Sequence, residues 1–298
     1  MENVVTLIAV PGTPLTLGLV RSVQDALAAA GARMGTPDWL APGAACDIPL
    51  DAIAAPPAER AVRAAAPCID VVVQQTSGRR KRLFVADMDS TIIGQECLDE
   101  VAATAGLGPK VAELTRRAMA GEIDFAAALR ERVALFRGLP LTLLDQVMRD
   151  SVRLNPGARV LLATLRAHGC YTALVSGGFT YFTERVARMA GFDTWNGNVF
   201  GTADGTLTGE IAGPIGGAEA KREMLERLMA ERGVVRSETL AAGDGANDIL
   251  MLQAAGLGVA YHGKPRAREA AAARIDSAAL TALLFVQGYR AAEFTGGD

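Results

Sequence analysis

Asp87 and Asp89, in Asp87-Met88-Asp89-Ser90-Thr91, directly follow the apolar run Leu83-Phe84-Val85-Ala86. Two acids this close to a strand end cannot both turn into a packed core, but a loop leaving the sheet can aim both at one ligand. One can attack phosphorus as a nucleophile and form an acyl phosphate. The other can protonate the leaving oxygen and then take a proton from the water that hydrolyses the intermediate. Turn carboxylates are common, so this pair alone leaves an ordinary turn open.

Gly243-Asp244-Gly245-Ala246-Asn247-Asp248 follows a second buried run and precedes helical sequence. Glycines on both sides of Asp244 allow a sharp bend beside a ligand, and Asp244, Asn247 and Asp248 offer the hard oxygen atoms that Mg²⁺ prefers. A turn that merely caps the next helix through Asn247 or Asp248 fits as well. Val175-Ser176-Gly177-Gly178 ends a third run with a hydroxyl and free amides suited to an oxyanion, though such turns are frequent. Lys221, on a helix after an Ala/Gly-rich turn, says nothing alone. Together these pieces supply a nucleophile, an acid, a metal-binding acid and cationic or N–H donors in one order. Phosphoryl transfer needs those parts, because it is mostly positioning and stabilisation of the transferring oxygens.

The elements that must carry these residues alternate from residue 82 onward. Strands are expected at 83–86, 171–175, 239–242 and 258–261, with helices at 157–168, 180–190, 218–232 and 247–254 between or beside them. Alternation of this kind implies a doubly wound α/β fold with a parallel sheet covered by helices on both faces, and ligands bind at the carboxyl ends of such strands. Residues 96–149 read as almost wholly helical, broken at Gly106, Gly121 and Gly138-Leu139-Pro140. Residues 198–213, around Asp204-Gly205, suit a β-hairpin. The first 78 residues read as a small α+β unit, with a strand over 3–10, a helix over 15–30 stopped at Gly31, a helix over 58–66 and a strand over 69–75. The Pro/Gly/Ala-rich stretch 35–57 shows no clear element, and Ser77-Gly78-Arg79 reads as a linker. No internal repeat is visible.

Bulk properties exclude several classes. The 298 residues carry a formal net charge of −3, so no cationic field draws the chain to nucleic acid. The one dense basic run, Arg79-Arg80-Lys81-Arg82, reads as a solvated edge before a strand. Cys46, Cys68, Cys97 and Cys170 form no CxxC pair and suit reduced cytoplasmic thiols. His168 and His262 are the only histidines, too few for a histidine-built zinc site. The apolar opening carries Glu2 and is interrupted by Pro11-Gly12, so it reads as strand, turn and helix start, with neither export signal nor membrane anchor.

With the four segments assembled, the chain resembles the haloacid dehalogenase-like superfamily. Residues 87–102, 116–140, 174–182 and 241–252 resemble its bacterial phosphoserine phosphatase branch, over roughly residues 82–290. The resemblance implies a Rossmann-like core over 79–95 and 150–298 with a helical cap over 96–149. It implies Asp87 as nucleophile and Asp89 as general acid/base. Mg²⁺ would be held by the Asp87 carboxylate, the Asp89 main-chain carbonyl and Asp244, with Asp248 in support. Ser176, Gly177 and Lys221 would bind phosphate, with Asn247 beside it. In the cap, Glu96 would meet a substrate ammonium and Arg132 a carboxylate, a pairing that suits a planar guanidinium, while Met119 and Phe125 shape the pocket. The implied reaction is hydrolysis of O-phosphoserine, the last step of serine biosynthesis. Another amine-bearing phosphomonoester and a non-catalytic amino-acid-binding regulator are the rivals. The N-terminal unit resembles the first half of an ACT domain, which implies an amino-acid sensor, or alternatively an inert or homodimer-forming appendage.

Overall fold

The computed structural model describes residues 1–119 and 122–297; the side chains of Ala118 and Met119 fall outside the described residues, and with them the pocket role expected for Met119. The β-branched opening forms β1 (Asn3–Ile8). Helix α1 (Leu17–Ala29) starts where the Thr16 hydroxyl accepts the Leu19 amide at 3.1 Å, a usual cap. It stops before Gly31, whose φ of +91° suits a residue without a Cβ.

Residues 35–57 depart from expectation. They hold β3 (Asp38–Ala41) and β4 (Ala45–Asp51), and β2 (Arg33–Met34) lies just before them. Strand β4 is interior, pairing with β1 on one side and with β2 and β3 on the other, all antiparallel. Its alternating Cys46, Ile48 and Leu50 were masked by Asp47 and Pro49, residues that usually argue against a central strand. After α2 (Ala55–Ala65), strand β5 (Asp70–Gln75) pairs with β1. Val5, Leu7, Ile48, Leu50, Val71 and Val73 pack with Val23, Leu27 and Val62 of the two helices, whereas Ile8, Ala45 and Val72 belong to the core of the following sheet.

The second sheet begins with β6 (Leu83–Ala86), four residues buried on both faces, as a central parallel strand requires. Four helices follow: α3 (Cys97–Thr104), α4 (Gly108–Met119), α5 (Phe125–Ala134) and α6 (Leu141–Asp150). Next come α7 (Ala158–Ala167), β7 (Tyr171–Phe179), α8 (Thr180–Ala190) and the hairpin β8 (Thr194–Ala203) and β9 (Thr206–Ala212). The chain continues through α9 (Ala218–Arg232), β10 (Thr239–Gly243), α10 (Ile249–Ala254), β11 (Leu257–Tyr261), α11 (Pro265–Ala270), β12 (Ala273–Ile275) and α12 (Ala282–Val286). The order β12-β11-β10-β6-β7-β8-β9 is parallel except for the β8–β9 hairpin. Phe84, Ala86, Leu174 and Leu240 face one helical layer, and Leu83, Val85, Ala173 and Ala241 face α9 and α10. The doubly wound reading therefore holds.

The basic run 79–82 is not a uniformly solvated edge. The Arg79 guanidinium lies 2.6 Å from Asp47 and also donates to the Thr6 hydroxyl and to the Phe285 and Val286 carbonyls. Lys81 is buried, donating its ammonium to the Gly78 and Ser237 carbonyls at 2.8 and 2.7 Å. Arg80 and Arg82 are the ones that stay exposed, beside Glu293 and Glu238. Composition could not show this, because the acceptors come from remote segments. Asp70, 1% exposed, similarly accepts the backbone amides of Asp276, Ser277 and Ala278 at 2.7, 3.0 and 2.7 Å. The N-terminal sheet is thus clasped to the second one.

Asp70→Ala strips acceptors from three amides, and such losses cost roughly 1–3 kcal/mol per buried group left unmade. The variant should lose about 3 kcal/mol in urea unfolding; a loss below about 0.5 kcal/mol would show that the clasp carries no stability.

Candidate active site

Because β6 lies between β10 and β7, the loops leaving those three strands emerge side by side. Asp87 follows β6 and Asp244 follows β10, as expected, while β7 continues past Ser176 to Phe179, its pairing with β8 shifting register after Val175. The Asp87 amide donates to the Ala242 carbonyl at 2.9 Å, tying two of these ends together. The chain then turns irregularly through Met88–Ile92, with Ser90 at φ +56°, a conformation L-residues seldom adopt and one that recurs at functional sites. This turn directs the Ser90 hydroxyl to Glu96 Oε1 at 2.9 Å.

Lys221, on α9 and 1% exposed, sits 2.6 Å from Asp87 Oδ1 and 2.6 Å from Asp248 Oδ1. Asp248 Oδ2 accepts the amides of Asp244 and Gly245 at 3.0 and 2.9 Å. Both oxygens of Asp248 are therefore committed, and its part is to hold the Asp244 turn and Lys221 in place. Burial works against the Lys221 charge, but Asp87 and Asp248 keep its ammonium above the ordinary lysine range. Burial, and then the Asp248 carboxylate, push the Asp87 carboxyl well up. Burial also raises Asp244, against the pull of Lys264.

Asp89 lies beside this triad. Its Oδ1 accepts the Cys97 amide at 3.1 Å, and its Oδ2 is 3.5 Å from the Ser176 hydroxyl. Burial and the neighbouring Glu96 charge push Asp89 up to about 6, a range in which a carboxyl can both give and take a proton near neutral pH. The Gly178 amide donates to Ser176 Oγ at 2.8 Å. A Cβ on Gly178 would lie 3.3 Å from Asp89 Oδ2, so the glycine allows the two loops to approach.

The cleft is lined by Asp87, Asp89, Ser176, Gly177, Asp244 and Asn247 on the sheet side, and by Glu96, Phe125 and Arg132 on the helical side. The structure thus brings together every expected site residue among those whose side chains are described, with Lys221 and Asp248 directly beneath. Phe125 lies against the Gly177 and Gly217 segments: a Cβ on either glycine would meet its ring at 3.2 or 3.3 Å.

Two charged neighbours escaped the sequence reading. Lys264 reaches Asp244 Oδ2 at 2.9 Å and stands 3.9 Å from Glu96 Oε1; it too follows a strand end, after Tyr261, and that position could have flagged it. Asp99 pairs with Arg132 Nη2 at 2.7 Å, while Arg132 Nε is buried without a hydrogen-bond partner. Nothing in the spacing of Asp99 and Arg132, on different helices, signals that pair.

Carboxylate oxygens of Asp87, Asp244 and Asp248 lie within 4.8 Å of one another. Three buried acids against Lys221 and the exposed Lys264 leave a surplus of negative charge, and hard carboxylate oxygens are what a divalent cation such as Mg²⁺ takes. The donor set fits a metal.

The family model for haloacid dehalogenase-like hydrolases matches residues 84–253. A phosphoserine phosphatase from Streptomyces coelicolor is 38% identical over 98% of this chain and 73% of its own length. One from a Polaromonas species is 45% identical, covering 68% of this chain and 88% of its own. Among solved structures, a probable phosphoserine phosphatase from Vibrio cholerae in unliganded form aligns with a TM-score of 0.80 at 32% identity, over 98% of this chain and 88% of that one.

A Cβ on Gly243 would fall 2.5 Å from Asp248 Cγ, so Gly243→Ala must displace the residue that aligns Lys221 and the Asp244 turn. The variant should stay folded and lose about a hundredfold or more in phosphatase turnover, since misplacement of about 1 Å in a reacting site can cost that much. Turnover within threefold of the parent would mean that Asp248 does not set the site.

Proposed function

The chain belongs to the haloacid dehalogenase-like hydrolases, and from that membership we propose that it hydrolyses O-phosphoserine to serine and inorganic phosphate, the last step of serine biosynthesis. The observation that carries this reading is the meeting of Asp87, Asp89, Ser176 and Asp244 with Glu96 and Arg132 in one cleft, above a buried Lys221.

Lys221 holds one oxygen of Asp87 and leaves the carboxylate oriented for attack on phosphorus, so that an aspartyl phosphate forms as the seryl oxygen leaves. Asp89 gives that oxygen its proton, then accepts one from the water that cleaves the acyl phosphate. Ser176 Oγ, the Gly177 amide, Lys221 and Asn247 surround the phosphoryl oxygens and stabilise charge that is already there in the ground state and redistributes in the transition state. Asp87, the Asp89 main-chain carbonyl and Asp244 would hold Mg²⁺, with Asp248 supporting; when bound, the ion neutralises charge on the phosphoryl oxygens. Glu96 takes the substrate ammonium, Arg132 its carboxylate, and Phe125 closes the apolar side.

We assign residues 96–149 to a cap, 79–95 and 150–298 to the catalytic core, and 1–78 to a separate N-terminal unit of ACT-like type. Among the described residues no helix is long and apolar enough to cross a membrane, and all four cysteines are free, which supports a cytoplasmic site of action. A homodimer through the N-terminal unit would use its helical side, since its other sheet face packs on the core and Arg290 engages β3.

Three outcomes test the reading. Asp87→Asn should abolish phosphate release from O-phosphoserine with the fold retained by circular dichroism; activity within tenfold of wild type would remove Asp87 as nucleophile. Arg132→Ala should reduce kcat/KM for O-phosphoserine about a hundredfold or more while changing phosphoethanolamine, which lacks the carboxylate, less than threefold. Equal losses on both would make the arginine structural. Chelation should stop turnover and added Mg²⁺ restore it; undiminished turnover in excess chelator would contradict the metal assignment.

A further inference from the structure

Asn198, on β8, is 3% exposed and does not line the cleft, yet all of its hydrogen-bonding atoms are engaged by two segments that do the phosphate binding. Its Nδ2 donates to the Gly177 carbonyl at 2.8 Å and to the Gly216 carbonyl at 3.2 Å. Its Oδ1 accepts the Gly216 amide at 2.8 Å. Gly177 belongs to the Ser176-Gly177-Gly178 segment. Gly216 precedes Gly217, the residue at the start of α9, whose carbonyl accepts the Lys221 amide at 3.4 Å. One buried amide therefore spans the element that offers the hydroxyl and backbone donors and the element that offers the ammonium.

Strand β8 neighbours β7 in the sheet, with Asn198 opposite Phe179. A Cβ on Gly197, the residue before Asn198, would lie 3.2 Å from the Gly178 carbonyl and 3.3 Å from the Thr180 amide, so the glycine lets β8 close up on the end of β7 that carries Gly177. Phe125 covers Gly177 and Gly217 from the opposite side. Ser176 Oγ holds the Gly178 amide within its own segment, but Gly177, Gly216 and Gly217 have no side chain to link the two segments to each other, and glycine backbone is otherwise the most freely moving. A buried amide with every donor and acceptor satisfied is the kind of group that specifies one geometry.

We infer that Asn198 is a positioning residue of the phosphate site: it never touches substrate, and it sets the separation between the Gly177 donors and Lys221. This deepens the phosphatase reading and rests on it. The consequence is specific. Loss of the clip should weaken recognition of the phosphoryl group whatever the rest of the substrate, in contrast to loss of Arg132.

The test is steady-state kinetics in Mg²⁺ with inorganic phosphate as competitive inhibitor. Asn198→Ala should raise the inhibition constant for phosphate about ten- to a hundredfold and lower kcat/KM by a similar factor. The ratio of kcat/KM for O-phosphoserine to that for phosphoethanolamine should stay within twofold of wild type. Asn198→Asp, which keeps the acceptor for Gly216 but puts a carboxylate against two carbonyls, should show the same pattern. A merely structural asparagine would lower the folded fraction and apparent kcat while leaving the phosphate inhibition constant within twofold, and that result overturns the inference. Should neither variant fold, hydrogen exchange on the wild-type protein decides: inorganic phosphate should protect backbone 174–180 and 214–220 together, and protection confined to one segment overturns the clip. A wild-type protein that releases no phosphate from O-phosphoserine overturns the phosphatase reading, and this inference falls with it; a wild type that turns over normally beside an unaffected Asn198→Ala overturns this inference alone.

Discussion

A buried ammonium between two buried carboxylates is the interaction around which the rest of the molecule is arranged. Lys221, Asp87 and Asp248 are all but inaccessible to water, and isolated charges in such a place are strongly disfavoured unless paired and fully hydrogen-bonded. Each is satisfied by a group from another element: Lys221 by the loops after β6 and β10, and Asp248 by Lys221 and by two amides of its own turn. The triad can exist only if β6, β10 and α9 are all in place. It therefore couples the parallel sheet order to the site. The remaining excess of negative charge is what makes the same carboxylates suitable for a divalent cation.

The site is built in two layers that meet over glycines. The sheet layer presents Asp87, Ser176 and Asp244 from strand ends, while the segment between residues 96 and 150 presents Glu96, Phe125 and Arg132 from above. Where the layers touch, Gly177 and Gly217 lie against the Phe125 ring, and side chains there would hold the layers apart. Asp89 sits at the junction, and its raised proton affinity follows from that place: it is half-buried and poorly solvated, and Glu96 adds a like charge beside it. Lys264 crosses the same gap, leaning on Asp244 with Glu96 in range.

The N-terminal sheet is attached by the same kind of physics. Asp70, Asp47 and Arg79 are polar groups that the sheet interior would reject alone, and each is accepted because the other unit supplies its partner or its covering. The attachment also reaches toward the site by contact. Asp70 holds residues 276–278, the Ala278 carbonyl meets a His262 ring nitrogen at 3.0 Å, and His262 stands two residues before Lys264.

The alternation of strands and helices from residue 82 onward, and the identity and order of the strand-end residues that meet in the cleft, were legible in the sequence. They depend on local patterns: an apolar run followed by an acid, a glycine pair around an aspartate, a hydroxyl before two glycines. What stayed hidden involved pairs of residues far apart along the chain. Strand β4 was unreadable because Asp47 breaks its pattern until Arg79 and Thr6 are known to meet it. The basic run 79–82 looked solvated because its acceptors near residues 237 and 286 carry no local mark. Asp99, Lys264 and Asn198 are ordinary polar residues until folding sets them beside Arg132, Asp244 and Gly177. Sequence alone thus determined which chemistry the chain carries, since side-chain type and strand-end position are local properties. The tertiary structure decided which polar groups are buried and what they face, because the cost of burying a charge is settled by its partners in space.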